Sequence, residues 1–321
     1  MSRPSPFDSI ASDSSAPWPG RRPALWHRVV SWLRNESRRD RSRRRWARWI
    51  GRNWARISYA WRVEPTWLEL NRCDVPIQDL PSPFDGLRIA QLSDFHCGRH
   101  VPLAYLQEAI ELAQSERPDL IVLTGDFIHT GFRYVDVVAE TLGQMSAPLG
   151  VYAVLGNHDF SVRNALGYRR HRHLHRAVAE ALTARGICVL RNETVELVRG
   201  EARLYLTGVE DLWSRVCDLD AALEGLAHDV PRIVLAHNPR TVEHLNGRRC
   251  DLMLSGHTHG GQVNWPGLGR PVLGRHTRRF AAGLYRYKDT YLYVNKGIGF
   301  SVRFRFGVRP EVAVVTLRAA S

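Results

Sequence analysis

Seven aspartate, asparagine and histidine residues occur in five short segments of this 321-residue chain, each directly after an apolar run. The seven residues are Asp94, His96, Asp126, Asn157, His237, His257 and His259. Apolar runs of four to six residues that end in a polar residue or glycine predict buried strands followed by loops. Loops at one end of a parallel sheet carry the chemistry of α/β proteins. The nitrogen and oxygen ligands in these loops therefore indicate a metal centre.

The spacing within two of the segments suits the binding of one ion by two side chains. Asp94 and His96 are two residues apart, and so are His257 and His259. Residues i and i+2 of an extended segment point the same way, so each pair can contact one cation.

The remaining three residues complete the set of ligands. Asp126 is a single carboxylate and can bridge two cations, Asn157 offers a carbonyl oxygen, and His237 offers an imidazole. Seven ligands with one bridge predict two divalent ions, and this mixture of ligands favours Mn, Fe or Zn. Two ions about 3.5–4 Å apart suit phosphoryl chemistry, because they contact both the attacking and the ester oxygens.

The elements that must position these segments alternate along the chain, which predicts two packed sheets with helices outside. Predicted strands before the ligands are Leu87–Leu92, Leu120–Thr124, Val151–Leu155, Ile233–Ala236 and Leu252–Ser255. Predicted helices are Leu103–Ser115, Tyr134–Met145 and segments near 177–185 and 218–227. Further short strands are expected around 186–190, 195–198, 204–209, 291–294 and 312–317. The predicted organisation is disorder at 1–20, a basic arm at 21–62, a linker or first strand at 63–85 and a catalytic domain at 86–318.

The basic character of the chain belongs to the arm. Residues 1–62 contain 15 Arg and no Lys against four acidic residues, so they carry most of the net charge of +13. Apolar residues recur there at steps of three and four, as Trp46, Trp49, Ile50, Trp54, Ile57 and Trp61. This pattern predicts an amphipathic helix that lies on an anionic membrane surface. Two alternatives stay open: packing on its own domain or another copy, and binding of nucleic acid, the least favoured partner.

Other features of the sequence limit where the chain works. No apolar stretch reaches the ~18–20 residues of a membrane span, and there is no segment typical of a cleavable signal peptide. Five cysteines, far apart and without a C-x-x-C pair, predict isolated thiols in a reducing compartment. The expectation is peripheral attachment without a transmembrane span.

The five segments, in this order, resemble the signature of the calcineurin-like metallophosphoesterases, over about Leu87 to Leu317. The resemblance implies an α/β/β/α sandwich with a dinuclear site. By match of position, Asp94, His96, Asp126 and His259 would hold one metal, and Asp126, Asn157, His237 and His257 the other. His158 matches the family's catalytic histidine, which assists the leaving oxygen. Asp159 would be a supporting acid beside the site.

Departures from the family pattern indicate which branch of the family the chain resembles. Asp126 is not followed by the Asp-Arg-Gly motif of the protein Ser/Thr phosphatases, and His129 stands where purple acid phosphatases have a ligand tyrosine. His158 stands where the common UDP-diacylglucosamine hydrolase has arginine. The chain is most similar to bacterial membrane-associated phosphodiesterases of the YkuE/YaeI type, on Gly256–Gln262 and Asn295–Gly299. That group implies a site on the cytoplasmic side of the inner membrane, and a branch of it hydrolyses UDP-2,3-diacylglucosamine.

Two further clusters are candidates for contact with substrate. Arg169, Arg170, His171 and Arg172 follow the Asn157 segment and could bind a diphosphate or a headgroup, or form a solvated helix start. Apolar residues alternate with polar ones at 300–306, which predicts an edge strand or, alternatively, a lip that faces lipid.

The sequence thus predicts a metal-dependent phosphodiesterase that cleaves a phosphodiester or pyrophosphate. The attacking group would be a hydroxide that bridges the two metals, and Asp126 and His158 would be the catalytic residues. The expected substrate is a phosphorylated small molecule or lipid, such as UDP-2,3-diacylglucosamine at the membrane surface. The alternatives are a soluble nuclease or cyclic-nucleotide phosphodiesterase with a nucleic-acid-binding arm, and a membrane-bound scaffold with an idle site.

Overall fold

The computed structural model of the chain describes residues 44–48, 51–164, 166 and 168–320, apart from the side chains of residues 275 and 276. The predicted disorder at 1–20 and the arm residues 21–43, 49 and 50 lie outside the described residues. Residues 44–48 and 51–62 are helical. Within the described part of the chain, no helix is long and apolar enough to cross a membrane. The sheets, the helices α1 to α5 and the candidate site described below belong to the compact unit Arg56–Ser321.

Twelve strands of the described chain form two six-stranded sheets. The first sheet has the order β1-β12-β2-β3-β4-β5, and all its pairs are parallel except β12 with β2. Its strands are β1 (Glu69–Ile77), β2 (Arg88–Leu92), β3 (Leu120–Leu123), β4 (Val151–Ala153), β5 (Cys188–Val189) and β12 (Glu311–Ala319).

The second sheet has the order β10-β11-β9-β8-β7-β6 and is parallel from β11 to β7, with antiparallel pairs at both edges. Its strands are β6 (Glu193–Arg199), β7 (Ala202–Val209), β8 (Arg232–Ala236), β9 (Leu252–Ser255), β10 (Gly283–Tyr287) and β11 (Thr290–Val294). Both sheets are therefore mixed.

Beyond residue 62, five α-helices of the described chain and three apolar clusters complete the layers. The helices are α1 (Leu103–Ser115), α2 (Val135–Leu142), α3 (Leu174–Thr183), α4 (Leu219–Leu223) and α5 (Arg275–Arg278). Short 3-10 turns occur at Glu64–Thr66, Ser82–Phe84, Pro239–His244 and His259–Gly261. One cluster lies between the sheets, one between the first sheet and α1 to α3, and one on the outer face of the second sheet with α4. This arrangement confirms the predicted sandwich.

Strand β3 shows why the strands before the ligands are uninterrupted apolar runs in the sequence. Leu120 and Val122 pack between the sheets, whereas Ile121 and Leu123 pack against the outer helices. Successive side chains of a strand point to opposite faces, and here both faces are buried. Burial of each such side chain contributes about 1.5–3 kcal/mol, so a shift of the strand by one residue would cost several of these contributions.

One local prediction is too long and another is wrong. The helix expected near 218–227 is present as the five residues of α4, which begins after the capping residue Asp218 and ends before Gly225, where φ is 71°. Residues 300–306 form no strand beyond one bridge between Phe306 and Val263. Burial there follows the packing of individual side chains rather than alternation, since Arg305 is fully buried and Val302 is 60% exposed.

Candidate metal centre

All seven candidate ligands lie directly after the carboxyl ends of neighbouring strands. Asp94 and His96 follow β2, Asp126 follows β3, and Asn157 follows β4, all in the first sheet. The remaining three follow adjacent strands of the second sheet, with His237 after β8 and His257 and His259 after β9. Because these strands are parallel within each sheet, their ends meet at one edge of the sandwich.

Four of the candidate ligands converge in a first cluster. Nε2 of His96 lies 2.8 Å from Nε2 of His259, which lies 3.3 Å from Oδ1 of Asp94. Oδ2 of Asp126 is 3.6 Å from Nε2 of His96. Two carboxylates and two imidazoles therefore point at a common position.

The other candidates converge in a second cluster, which shares Asp126 with the first. Oδ2 of Asp126 lies 3.3 Å from Nε2 of His237. Oδ1 of Asn157 is 3.2 Å from the same nitrogen and 2.9 Å from Nδ1 of His257. The same carboxylate oxygen thus faces both clusters, as a bridging ligand must.

The protonation of the histidines fits the binding of cations. Burial lowers the pKa of His96 and His259 well below the usual value and that of His257 to about 3. These imidazoles are therefore neutral and present lone pairs, which is the form that binds metals. The donor set therefore fits the binding of divalent metal ions.

His237 is the exception, and its contacts still select the metal-binding nitrogen. Burial lowers its pKa, but the nearby carboxylates, Asp126 first and then Asp94 and Asp211, together outweigh burial and raise the pKa to about 10. A cation beside Oδ2 of Asp126 would oppose that rise, because it competes with the proton for the carboxylate. Nδ1 of His237 lies 2.6 Å from the carbonyl of Thr124 and donates to it, which leaves Nε2 toward Asp126.

The backbone of the ligand loops is unusual. Five candidate ligands have positive φ angles, namely Asp94 (53°), His96 (44°), Asp126 (55°), His257 (70°) and His259 (50°). Non-glycine residues rarely adopt this region, and such residues cluster at functional sites. Only glycine fits at position 156, because the backbone there lies so close to Asp126 that a Cβ would be 2.2 Å from its Oδ1. The loops are therefore held by packing rather than by local preference.

Asp159 joins two of these loops. Its fully buried carboxylate accepts the backbone N–H of Asp126 and of Gly156, each at 2.9 Å. It also accepts the N–H groups of Phe127 at 3.0 Å and Ile128 at 3.3 Å. The carboxylate thereby fixes Asp126 relative to the loop that carries Asn157.

His158 lies beside the clusters and is half-buried. Its ring is 4.6 Å from that of His96. Its Nδ1 lies 2.8 Å from the carbonyl of His129 and donates to it, so Nε2 is the nitrogen left to exchange a proton. The backbone N–H of His158 donates to Oδ1 of Asp126 at 2.8 Å, which leaves Oδ2 for the ligand clusters.

A cavity of about 230 Å³ opens onto both clusters. His158 and Arg163 form part of its wall, together with Trp213 and Leu273. Trp213 meets the ring of His257 edge-on, with 4.3 Å between the ring centroids. Arg163 and Trp213 were not predicted, although Arg163 is only five residues beyond His158 in the same loop.

The predicted basic cluster does not line this cavity. Arg169 donates to the carbonyl of Ser214 at 2.7 Å, and His171 packs edge-on against Phe132. Arg170 and Arg172 are exposed. Substrate contact by these four residues stays a prediction, and any such contact lies outside the cavity.

Arg305 is a second residue that sequence reasoning did not place. Its guanidinium is fully buried, and Nη2 donates to the carbonyls of Lys296, Gly297 and Gly299 at 2.7–3.0 Å. The same nitrogen lies 3.4 Å from Nδ1 of His259. The side chain thus ties the Asn295–Gly299 loop to a candidate ligand.

Replacing Arg305 by leucine is expected to lower the free energy of unfolding by about 3 kcal/mol or more, since buried carbonyls lose their charged donor. Arg305→Lys should lower the free energy of unfolding by less, because one ammonium can still reach some of the carbonyls. Arg303→Leu is the control, since that side chain is only half-buried. Chemical denaturation measures all three, and equal losses for Arg303 and Arg305 would contradict this account.

Comparison with known proteins agrees with the site. The profile of the calcineurin-like phosphoesterases matches residues 87–261, which include all seven candidate ligands. The chain belongs to this family and is a phosphoric ester hydrolase by descent.

Particular relatives cover most of the chain. It is 34% identical over 263 residues to phosphodiesterase YaeI of Escherichia coli, covering 81% of this chain and 92% of YaeI. It is 30% identical to the uncharacterized metallophosphoesterase YkuE of Bacillus subtilis, over 82% of this chain and 90% of YkuE. It is also 28% identical to the UDP-2,3-diacylglucosamine pyrophosphatase LpxG of Chlamydia trachomatis, over 81% of this chain and 92% of LpxG.

Proposed function

We propose that this phosphoesterase works with two divalent metal ions, each held by one of the two clusters. The observation that carries the proposal is the position of Oδ2 of Asp126, which faces Nε2 of His96 and Nε2 of His237 at once. The ligands would be Asp94, His96, Asp126 and His259 for one ion, and Asp126, Asn157, His237 and His257 for the other. Imidazole, carboxylate and amide ligands together suit Mn, Fe or Zn.

The chain's own residues then have distinct tasks. When bound, two metals supply an activated water and neutralise charge on the phosphoryl oxygens. His158 donates a proton from Nε2 to the leaving oxygen, since Nδ1 is held by the carbonyl of His129. Asp159 keeps Asp126 in place through the backbone, and Trp213 narrows the cavity beside His257.

The substrate we propose is a phosphodiester or pyrophosphate, with a lipid-linked compound such as UDP-2,3-diacylglucosamine as the leading candidate. Relatives named as a phosphodiesterase and as a pyrophosphatase of that lipid support this choice. The cavity is smaller than pockets that enclose drug-sized ligands, which are about 300–1,000 Å³. It therefore admits the reacting phosphoryl group, and the remainder of a larger substrate lies across the rim.

A panel of substrates tests the proposal with metal-reconstituted protein. We expect metal-dependent hydrolysis of an aryl phosphodiester and of UDP-2,3-diacylglucosamine, and loss of both activities in Asp126→Ala. Activity confined to cyclic nucleotides or nucleic acid would favour the alternative enzyme class. Metal binding without turnover of any member of the panel would favour an idle scaffold.

We further propose that the N-terminal arm binds an anionic membrane surface. Trp54 and Trp61, on the predicted apolar face, are 73% and 51% exposed. Replacing both by serine should weaken flotation with phosphatidylglycerol vesicles at least about tenfold, since each large apolar side chain contributes more than 1 kcal/mol when buried. Val198→Ser, an exposed position on β6, is the control. Unchanged flotation of the double variant would contradict this role of the arm.

A further inference from the structure

Exposed apolar side chains concentrate around the mouth of the cavity. Beyond residue 68, nine large apolar side chains in the described chain are exposed. Six of them lie on four loops at the edge of the sandwich that bears the ligands, and we call these six the rim. The rim residues are Phe132, Leu166, Tyr168, Leu268, Val272 and Val302. Because single exposed apolar residues are ordinary but clusters are not, the rim marks an interaction surface.

Three of the four rim loops continue outward from the walls of the cavity. Val272 itself lines the cavity, and so do Arg163 and Ser301, which belong to the loops of Leu166 and Val302. A bridge between Val162 and Arg169 closes the loop that carries Leu166 and Tyr168. A surface that contacts the rim therefore also covers the entrance to the metal centre.

The charge of the rim loops has one sign. Residues 127–134, 160–173, 262–274 and 299–310 contain nine arginines and no aspartate or glutamate. The opposite edge of the sheets is mixed in charge, since Asp119 before β3 pairs with Arg199 and Asp251 before β9 pairs with Arg249. The rim loops thus combine exposed apolar side chains with positive charge that no aspartate or glutamate of the same loops offsets.

We propose that the rim docks on the surface of an anionic lipid bilayer, so that the cavity opens toward the headgroups. Arginines meet the anionic headgroups and the apolar rim side chains enter the interface, as on interfacial helices. Nucleic acid fits less well, because its phosphate backbone offers no apolar layer for Leu166, Val272 or Val302. The inference rests on the proposed function, since it assumes that the cavity is the catalytic site.

The end of the N-terminal helical segment extends this surface. The backbone N–H of Arg305 donates to the carbonyl of Ala60 at 2.9 Å, and the guanidinium of Arg56 lies 5.9 Å from the ring centre of Trp265. Both contacts are with rim loops. Ile57 and Trp61 on this segment are 47% and 51% exposed. The segment thus adds apolar side chains beside the rim rather than behind it.

Fluorescent labelling of single positions in the full chain tests the docking. Cys188 is the exposed thiol and is first replaced by serine. Burial raises the pKa of Cys73 and Cys217 to about 12, and Cys97 and Cys250 are buried, so an introduced cysteine reacts selectively. A polarity-sensitive thiol dye is attached to Leu166→Cys and, separately, to Val302→Cys. Val198→Cys is the matched control, because it is 51% exposed on β6.

Phosphatidylglycerol vesicles should shift the emission of the dye to the blue at positions 166 and 302 and leave it unchanged at position 198. Phosphatidylcholine vesicles should give a smaller shift. Arg133→Gln should weaken the vesicle titration about fivefold, which corresponds to the loss of one arginine near an anionic surface. Turnover of a soluble aryl phosphodiester without vesicles should not change in Arg133→Gln.

Two outcomes would overturn the docking. One is vesicle binding by the full chain with no emission shift at either rim position, which would mean attachment by the arm alone. The other is a shift produced by single-stranded or duplex DNA but not by vesicles. Turnover of the aryl phosphodiester in solution is measured separately, so loss of the chemistry and loss of the docking give different results.

Discussion

Replacing Asp126 by asparagine is expected to lower turnover by at least about 10³-fold and to reduce the metal content of the protein. The change keeps the shape of the side chain but removes the charged oxygen that faces both His96 and His237. Bound metals provide several kcal/mol of transition-state stabilisation, and about 4 kcal/mol corresponds to this factor. Steady-state kinetics and elemental analysis of the purified protein measure the two effects.

The control for this variant is Asp211→Asn, which changes a buried carboxylate that accepts the N–H of Ser214 at 2.7 Å. We expect it to retain both metals. Metal-free Asp126→Asn should unfold at a lower temperature than the metal-free parent, because His237, whose pKa the carboxylate raises, loses its anionic partner. Metal content is therefore compared at a temperature where both proteins are folded. Full activity with two bound metals in Asp126→Asn would refute the shared bridge.

Replacing His158 by alanine is expected to slow hydrolysis of an alkyl phosphodiester by about 10²–10⁴-fold. Hydrolysis of a nitrophenyl phosphodiester should slow much less in this variant, because the nitrophenolate leaves without needing a proton. The backbone N–H that donates to Oδ1 of Asp126 stays in the variant, so the ligand clusters should be preserved. Comparison of kcat for the two substrates in parent and variant gives the result.

Two controls separate proton donation from other roles of His158. Metal content should match that of the parent, and His158→Gln, which retains a side-chain N–H group but cannot transfer its proton, should behave like His158→Ala. An equal loss for both leaving groups would show that His158 positions the substrate or the metals instead of protonating the leaving oxygen.

The apolar runs before the ligand segments made the sheets predictable. Each run fills a strand that is buried on two faces, as in β3, and such strands have few alternatives in position or register. The strand bounds differ from the predicted ones by only one or two residues at β2, β3, β4 and β8, and they agree at β9. The strand predicted at residues 300–306 is absent. Alternation of apolar and polar residues is typical of a strand with one face in solvent, whereas Arg305 is buried and donates to backbone carbonyls such as that of Gly299.

The order and chemical types of the seven candidate ligands are properties of the sequence alone, and they were sufficient to indicate two metals and phosphoryl chemistry. Their grouping in space depends on the meeting of two sheets, since Asp126 comes from the first sheet and His237 from the second. The same holds for Arg163 and Trp213 at the cavity, for Arg305 beneath it and for the rim around it. Contacts between residues far apart in the chain create these features, and no local pattern encodes them. The sequence therefore determined which chemistry is possible, and tertiary packing decided which side chains surround the reacting group.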